Sequence, residues 1–216
     1  MTLYSRSIPR LTVAHAIAFS KATSLRKIVL GVAGLCLVAQ AGCGTGSAVT
    51  GRFPVGKAYD VNLGQTWSKL TPFTLNSKVK QLTIDGPLLN NFYLSEGLKV
   101  GQSIIRTPVK SRPMPVVKAD MSETELAEFV VDTIAAFGYE GAAYSDLKPA
   151  KFGGVDAVRF NVSAKTDAGL EVSGTAQVAL RQGEVHVMLF LAASEHYYPS
   201  LISEVNTVFS SATLRP

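Results

Sequence analysis

Two histidines lie in the body of the chain, His186 and His196, and they are the first residues to ask about chemistry. A metal centre needs three or four converging ligands, and neither histidine has the neighbours at metal-ligand spacing. Glu184-x-His186 puts a carboxylate and an imidazole on the same face of a strand, which reads as a polar pair on a solvated face. Glu195-His196-Tyr197-Tyr198 admits two readings: a small binding or acid/base cluster, or a helix entry with aromatic rings packed under a sheet edge. Asp85-Gly86 and Glu96 are too few and too far apart for calcium. Gly138-Tyr-Glu-Gly141 and Gly153-Gly154 read as turn glycines without phosphate-loop spacing. No G-x-S-x-G elbow is present. Asn161-Val-Ser163 has the form of a glycosylation acceptor but falls inside a strand. The residues therefore lead to no expected catalytic, cofactor-binding or metal site, and the expectation is a protein that is not an enzyme. Candidate interaction residues are Trp67, the sole tryptophan, with Tyr93, His196 and Tyr197, because aromatic side chains anchor partners.

Cysteine and charge are distributed unevenly. Of 21 Lys and Arg, five (Arg6, Arg10, Lys21, Arg26, Lys27) precede Cys43, and all 16 Asp and Glu follow it. The +5 net charge thus belongs to the first 43 residues and the body is formally neutral. A neutral body has no basic field to hold a phosphodiester backbone, so no nucleic-acid partner is expected. After Arg26-Lys27 comes Ile28–Ala39, 12 uncharged residues rich in Leu, Val and Ile. As a helix it would reach about 18 Å at about 1.5 Å per residue, short of the roughly 30 Å of a bilayer core. A basic flank, a short apolar run and then small residues are the layout of an export signal. Residues 1–42 are accordingly expected to form a signal peptide. Cys36 lies inside the apolar run, so its removal would leave Cys43 as the only thiol.

Ala41-Gly42-Cys43 resembles the end of a bacterial lipobox. That resemblance implies a diacylglycerol thioether on Cys43, which becomes the mature first residue and ties the protein to a membrane. Gly44, a residue other than Asp, implies the outer rather than the inner membrane. Gln40 departs from the apolar residue usual in the motif, and Ala39-Gln40-Ala41 also suits the ordinary signal peptidase. Cleavage there would release a soluble periplasmic protein beginning at Gly42, so both routes stay open.

Residues 43–56, rich in Gly, Ser and Thr, read as a flexible tether, with a single domain over 57–216. In its first half Tyr59 and Val61 alternate as in a short strand, and Gly64 to Leu70 read as a helical turn carrying Trp67. Val79–Ile84 and Leu88–Leu94 read as strands around the turn Asp85-Gly86-Pro87, with a bend at Asn90-Asn91. Ser103–Arg106 reads as a short strand before the Pro-rich loop 107–115. The second half carries stronger patterns. Ser122-x-x-Glu125 is a capping box, followed by Leu126, Phe129, Val130, Thr133, Ile134 and Phe137 at helical spacing, with Gly138 at the end. Three alternating segments between 154 and 192, separated by Thr166–Gly169 and Gln182-Gly183, predict an antiparallel meander. The last of them is apolar on both faces at Met188 and Phe190, which predicts a central or doubly covered strand. A closing helix spans 197–210, around Pro199, with a stripe of Leu201, Ile202, Val205, Val208 and Phe209. The fold class is α+β: an antiparallel sheet packed by helices 122–137 and 197–210 in two or three layers.

That order of elements, from the helix at 122 to Phe209-Ser210, resembles the PsbP-like fold, a group that includes extrinsic photosystem subunits and bacterial lipoproteins. Leu82–Asn90 with Trp67 upstream is also similar to uncharacterised proteobacterial lipoprotein-type sequences. Neither resemblance maps an active site onto these residues. Together they imply a non-catalytic accessory role, with a membrane reached through the lipid and an envelope protein as partner. The alternative is a soluble periplasmic ligand-binding protein or small hydrolase using His196 and nearby acids.

Overall fold

Alternation of apolar and polar side chains runs through most of the chain, and a strand is the conformation that sorts it onto two faces. The computed structural model describes residues 46–106 and 114–216, which belong to one compact unit, Gly44–Pro216. The leader, Cys36, Cys43, Gly44 and most of the Pro-rich loop lie outside the described residues. Four strands come first: β1 Ser47–Val55, β2 Tyr59–Leu70, β3 Val79–Thr83 and β4 Asn90–Ser95. Helix α1 (Glu123–Ala136) leads to β5 Glu140–Phe152, β6 Val155–Lys165, β7 Glu171–Arg181 and β8 Glu184–Ala193. Helix α2 (Tyr197–Ser210) and a two-residue strand, β9 Thr213–Leu214, complete the described chain.

All pairings are antiparallel and the strand order is β1-β2-β3-β4-β8-β7-β6-β5, with β9 on the free stretch of β2 at Tyr59 and Asp60. The sheet is thus two meanders whose last strands, β4 and β8, join edge to edge, from Asn90 opposite Ala192 to Leu94 opposite Met188. Each helix covers one face. Leu126, Phe129, Val130 and Ile134 of α1 pack with Val158, Phe160, Val162, Val187 and Leu189. Leu201, Val205, Val208 and Phe209 of α2 pack with Trp67, Phe92, Met188 and Phe190. The α+β class expected from the sequence is observed, as a helix–sheet–helix sandwich. Strand β8 is central and every residue from Val185 to Ala193 is buried, which accounts for its two apolar faces.

Local signals explain the elements. The Ser122 hydroxyl accepts from Glu125 N at 3.3 Å while the Glu125 carboxylate accepts from Ser122 N at 2.9 Å, so the capping box closes in both directions. The β3–β4 turn is held by Asn90, whose Oδ1 accepts from Ile84 N at 2.8 Å and whose Nδ2 donates to Asp85 Oδ2 at 2.7 Å. Asn90 and Asn91 are strand residues, and Asn91 Oδ1 takes a bond from Gln81 Nε2 at 2.6 Å.

Four elements differ from the sequence expectation; one is Ser103–Arg106, which is not a strand, with only Ile105 forming an isolated bridge to Leu75. The tether ends early: from Ser47 the chain is edge strand β1, with Val49, Phe53 and Val55 facing the core and Thr50, Arg52 and Pro54 facing out. Small residues between these masked a period of two. Residues 64–70 are strand, not a helical turn. A bulge in β2 lets Val49 pair with Trp67 and Gly51 with Leu63, so the inward residues Leu63 and Trp67 stand four apart and imitate a helix. Strand β5 left no pattern because it is a mostly exposed edge, with Pro149 and two register shifts.

Candidate functional site

The four candidate interaction residues are not brought together. Trp67 is fully buried, 5.5 Å from Phe92 and 6.5 Å from Phe190 between ring centroids. Tyr93 is buried on the other face and stacks on Phe137 at 5.0 Å. Both are core, which corrects their reading as surface anchors: a ring of this size at an inward strand position gains more from burial than from contact with water. His196 is exposed and Tyr197 half-buried, their rings edge to face at 5.1 Å. His196 stands just before α2 and makes no side-chain cap bond. No carboxylate lies within ion-pair distance of it among the described residues, so the acid/base cluster is not assembled. Tyr198 next to it bonds Thr175 Oγ1 at 2.7 Å and stacks on Phe190, the helix-entry arrangement. Cys43 lies outside the described residues.

His186 is the residue the sequence placed on the wrong side of the sheet surface. It is 3% exposed, on the α2 face of β8, against the rings of Phe152 at 5.9 Å and Tyr59 at 6.2 Å. Its Nδ1 and the Tyr59 hydroxyl are both buried with no hydrogen-bond partner. Burial pushes the imidazole below the usual histidine range, Arg181 and Lys78 push the same way, and Glu184 opposes them. Burial thus favours the uncharged ring.

One edge of His186 lines a cleft of about 280 Å³ at the end of the sheet, formed by the β1–β2 turn, the chain entering β3, the chain after β4, the β7–β8 turn and the residues after β9. Lys57, Lys78, Arg181 and Arg215 line it, with Glu96 and Glu184. Two glycines make room for the carboxylates. A Cβ on Gly56, whose φ is +55°, would fall 1.7 Å from the Glu96 carboxyl carbon, and one on Gly97 would fall 2.0 Å from Glu184 Oε2. Glu96 accepts from Lys57 N at 3.2 Å, and Lys78 Nζ donates to Gly97 O at 2.6 Å. Arg215 is fixed by Asp60 in a two-pronged pair: Nε reaches Oδ2 at 3.0 Å and Nη2 reaches Oδ1. Arg52 Nη2 takes Asp60 Oδ2 from the other side at 2.7 Å. The hydrogen bond from Arg215, then that from Arg52, lowers the Asp60 carboxyl to about 2. None of these groups forms a sequence motif. Lys57, Lys78, Arg181, His186 and Arg215 meet only because the β1–β2 turn, the start of β3, the β7–β8 hairpin and the chain after β9 come together at one end of the sheet.

Apolar side chains are left in water at the opposite end of β8. Leu88, in the β3–β4 turn, is 89% exposed, and Leu170, in the β6–β7 turn, is 43% exposed. Pro87, Leu88, Phe137 and Tyr139 line a shallow hollow there.

Among the described residues no group of three His, Cys, Asp or Glu side chains could hold a metal ion, and no helix is long and apolar enough to cross a membrane. No protein-family model matches the chain, and no curated protein matches it. Several solved structures are similar to it, two of them as follows. One is the solution structure of cyanobacterial PsbP (CyanoP) from Synechocystis sp. PCC 6803, with 14% identity and a TM-score of 0.46 over 84% of this chain and 99% of that one. The other is the crystal structure of LpqN, involved in cell envelope biogenesis of Mycobacterium tuberculosis, with 15% identity and a TM-score of 0.35 over 82% of this chain and 88% of that one.

Proposed function

We propose that the chain is an exported, non-catalytic binding module, anchored to a membrane through lipid on Cys43 and accessory to an envelope protein. The observation that carries the binding role is the cleft beside His186. It gathers charged side chains from five separate segments around a buried imidazole, and its lining holds no hydroxyl or thiol nucleophile. Such a site holds a ligand by charge and shape. The anchor rests on Ala41-Gly42-Cys43 after a basic flank and a short apolar run. The hollow lined by Pro87, Leu88, Phe137 and Tyr139 supports docking on an apolar face of the envelope partner, because contiguous exposed apolar surface marks interaction sites.

Crosslinking in native membranes, followed by fractionation, tests the address and the docking together. The unaltered protein is expected in the membrane fraction with a discrete crosslinked species. Cys43→Ser should move it to the soluble fraction, and Leu88→Asp should remove the crosslinked species while leaving the protein in the membrane. A Cys43→Ser protein that stays membrane-bound would refute the anchor, and a crosslinked species indifferent to Leu88→Asp would refute the docking face.

A further inference from the structure

Charge around the cleft is lopsided in a body that is formally neutral. Glu96 and Glu184 are each faced by a lysine, Lys80 at 3.9 Å and Lys99 at 3.8 Å. Asp60 is shared by Arg215 and Arg52. Lys57, Lys78 and Arg181 have no carboxylate within ion-pair distance among the described residues. Seven cationic side chains thus stand against three carboxylates. The two glutamates in the lining already have counter-charges, so a cationic ligand would have to displace them. An anion would meet charges that are free.

Resting on the reading of this cleft as a binding site, we infer that it takes a phosphate-type oxyanion, held by Arg181 and Lys78 over His186. Arg181 is half-buried and its side chain makes no hydrogen bond among the described residues, so its planar fork is available for two oxygens. Lys78 spends one proton on Gly97 O at 2.6 Å, which fixes the ammonium and leaves two donors for the ligand. His186, 3% exposed with an unpartnered Nδ1, is a polar ring sunk into the lining with no protein group to serve. A neutral imidazole still carries one N–H, and an anion in the cleft would favour its second proton. Point charges and a fork around a compact hollow of about 280 Å³ suit a small tetrahedral anion with several charges. Inorganic phosphate, pyrophosphate and the phosphate of a lipid headgroup share that chemistry.

The test is a calorimetric titration of the purified protein with pyrophosphate and with inorganic phosphate, beside flotation with phosphatidylglycerol and phosphatidylcholine vesicles. The imidazole resonances of His186 and His196 are followed throughout. Saturable binding that moves the His186 resonance and not that of His196 is expected. Arg181→Gln and Lys78→Gln should each weaken it about tenfold or more, the loss of one charge-assisted hydrogen bond. Lys165→Gln, on the far side of the sheet, should leave it unchanged. Arg181 holds no other group in the described structure, so its removal leaves the fold intact. Binding to free anions identifies a soluble ligand, and binding to phosphatidylglycerol vesicles alone identifies a headgroup; either supports the inference. If neither binds, or if both variants bind as the unaltered protein does, the inference is overturned. Spermidine and glucose serve as probes of the broader reading. Should one of them move the His186 resonance when no anion does, the cleft is still a binding site for another class. Should nothing move it, that reading fails as well.

Discussion

Asp60 shows how much one residue can organise. Its carboxylate is buried, yet two guanidiniums reach it from strands β1 and the segment after β9, so the charge is neutralised where it sits. Because the folded carboxyl is held down at about 2, the ion pairs contribute fully above the ordinary carboxylate value of about 3.9 and are lost as pH falls through about 2. Stability should therefore decline between about pH 4 and pH 2, and Asp60→Asn should flatten that part of the profile. Chemical denaturation across this range is the check, and an unchanged slope in the variant would contradict it. No spacing in the sequence links Asp60 to Arg215, 155 residues away, and only the pairing of β9 with β2 brings them together. His186 was obscured for a related reason. Alternation assigns it to the side of β8 that carries Met188 and Phe190, but whether that side is solvent or core depends on α2 and on the rings of Tyr59 and Phe152.

Elements were legible where a local rule determines them. Helix α1 announces both ends, with the Ser122–Glu125 box at one and Gly138 at φ +102° at the other. Ser122→Ala should cost about 1 kcal/mol, since it removes the acceptor for Glu125 N and loosens the reciprocal bond. Thermal or urea unfolding measures it, and a change under about 0.3 kcal/mol would show that the cap contributes nothing. The meander β6–β7–β8 and helix α2 were equally open to reading, because each has an unbroken period of 2 or 3.6. Edge strands were not. Strand β1 hides its inward Val49, Phe53 and Val55 among Gly, Ser and Thr, and β5 has almost no buried face to declare. The bulge in β2 converts a strand period into a helical one at Leu63 and Trp67.

At the scale of the whole molecule, two meanders share one seam and a helix closes each face. Nothing local dictates that β4 should meet β8; it follows from both being buried on two sides and unable to serve as edges. The seam also sets the two ends of the sheet. Turns β1–β2 and β7–β8 build the charged cleft, while turns β3–β4 and β6–β7 present Leu88 and Leu170 at the other end. In a protein tethered by its first mature residue, one end can hold a ligand while the other meets a partner. That arrangement depends on the chain being exported and then lipidated at Cys43, and intact mass spectrometry of the mature protein from native membranes tests it most directly. The expected mass is that of a chain beginning at Cys43 with a diacylglyceryl group, with or without a third acyl chain. An unmodified chain beginning at Gly42, or a full-length chain that keeps residues 1–42, would contradict it.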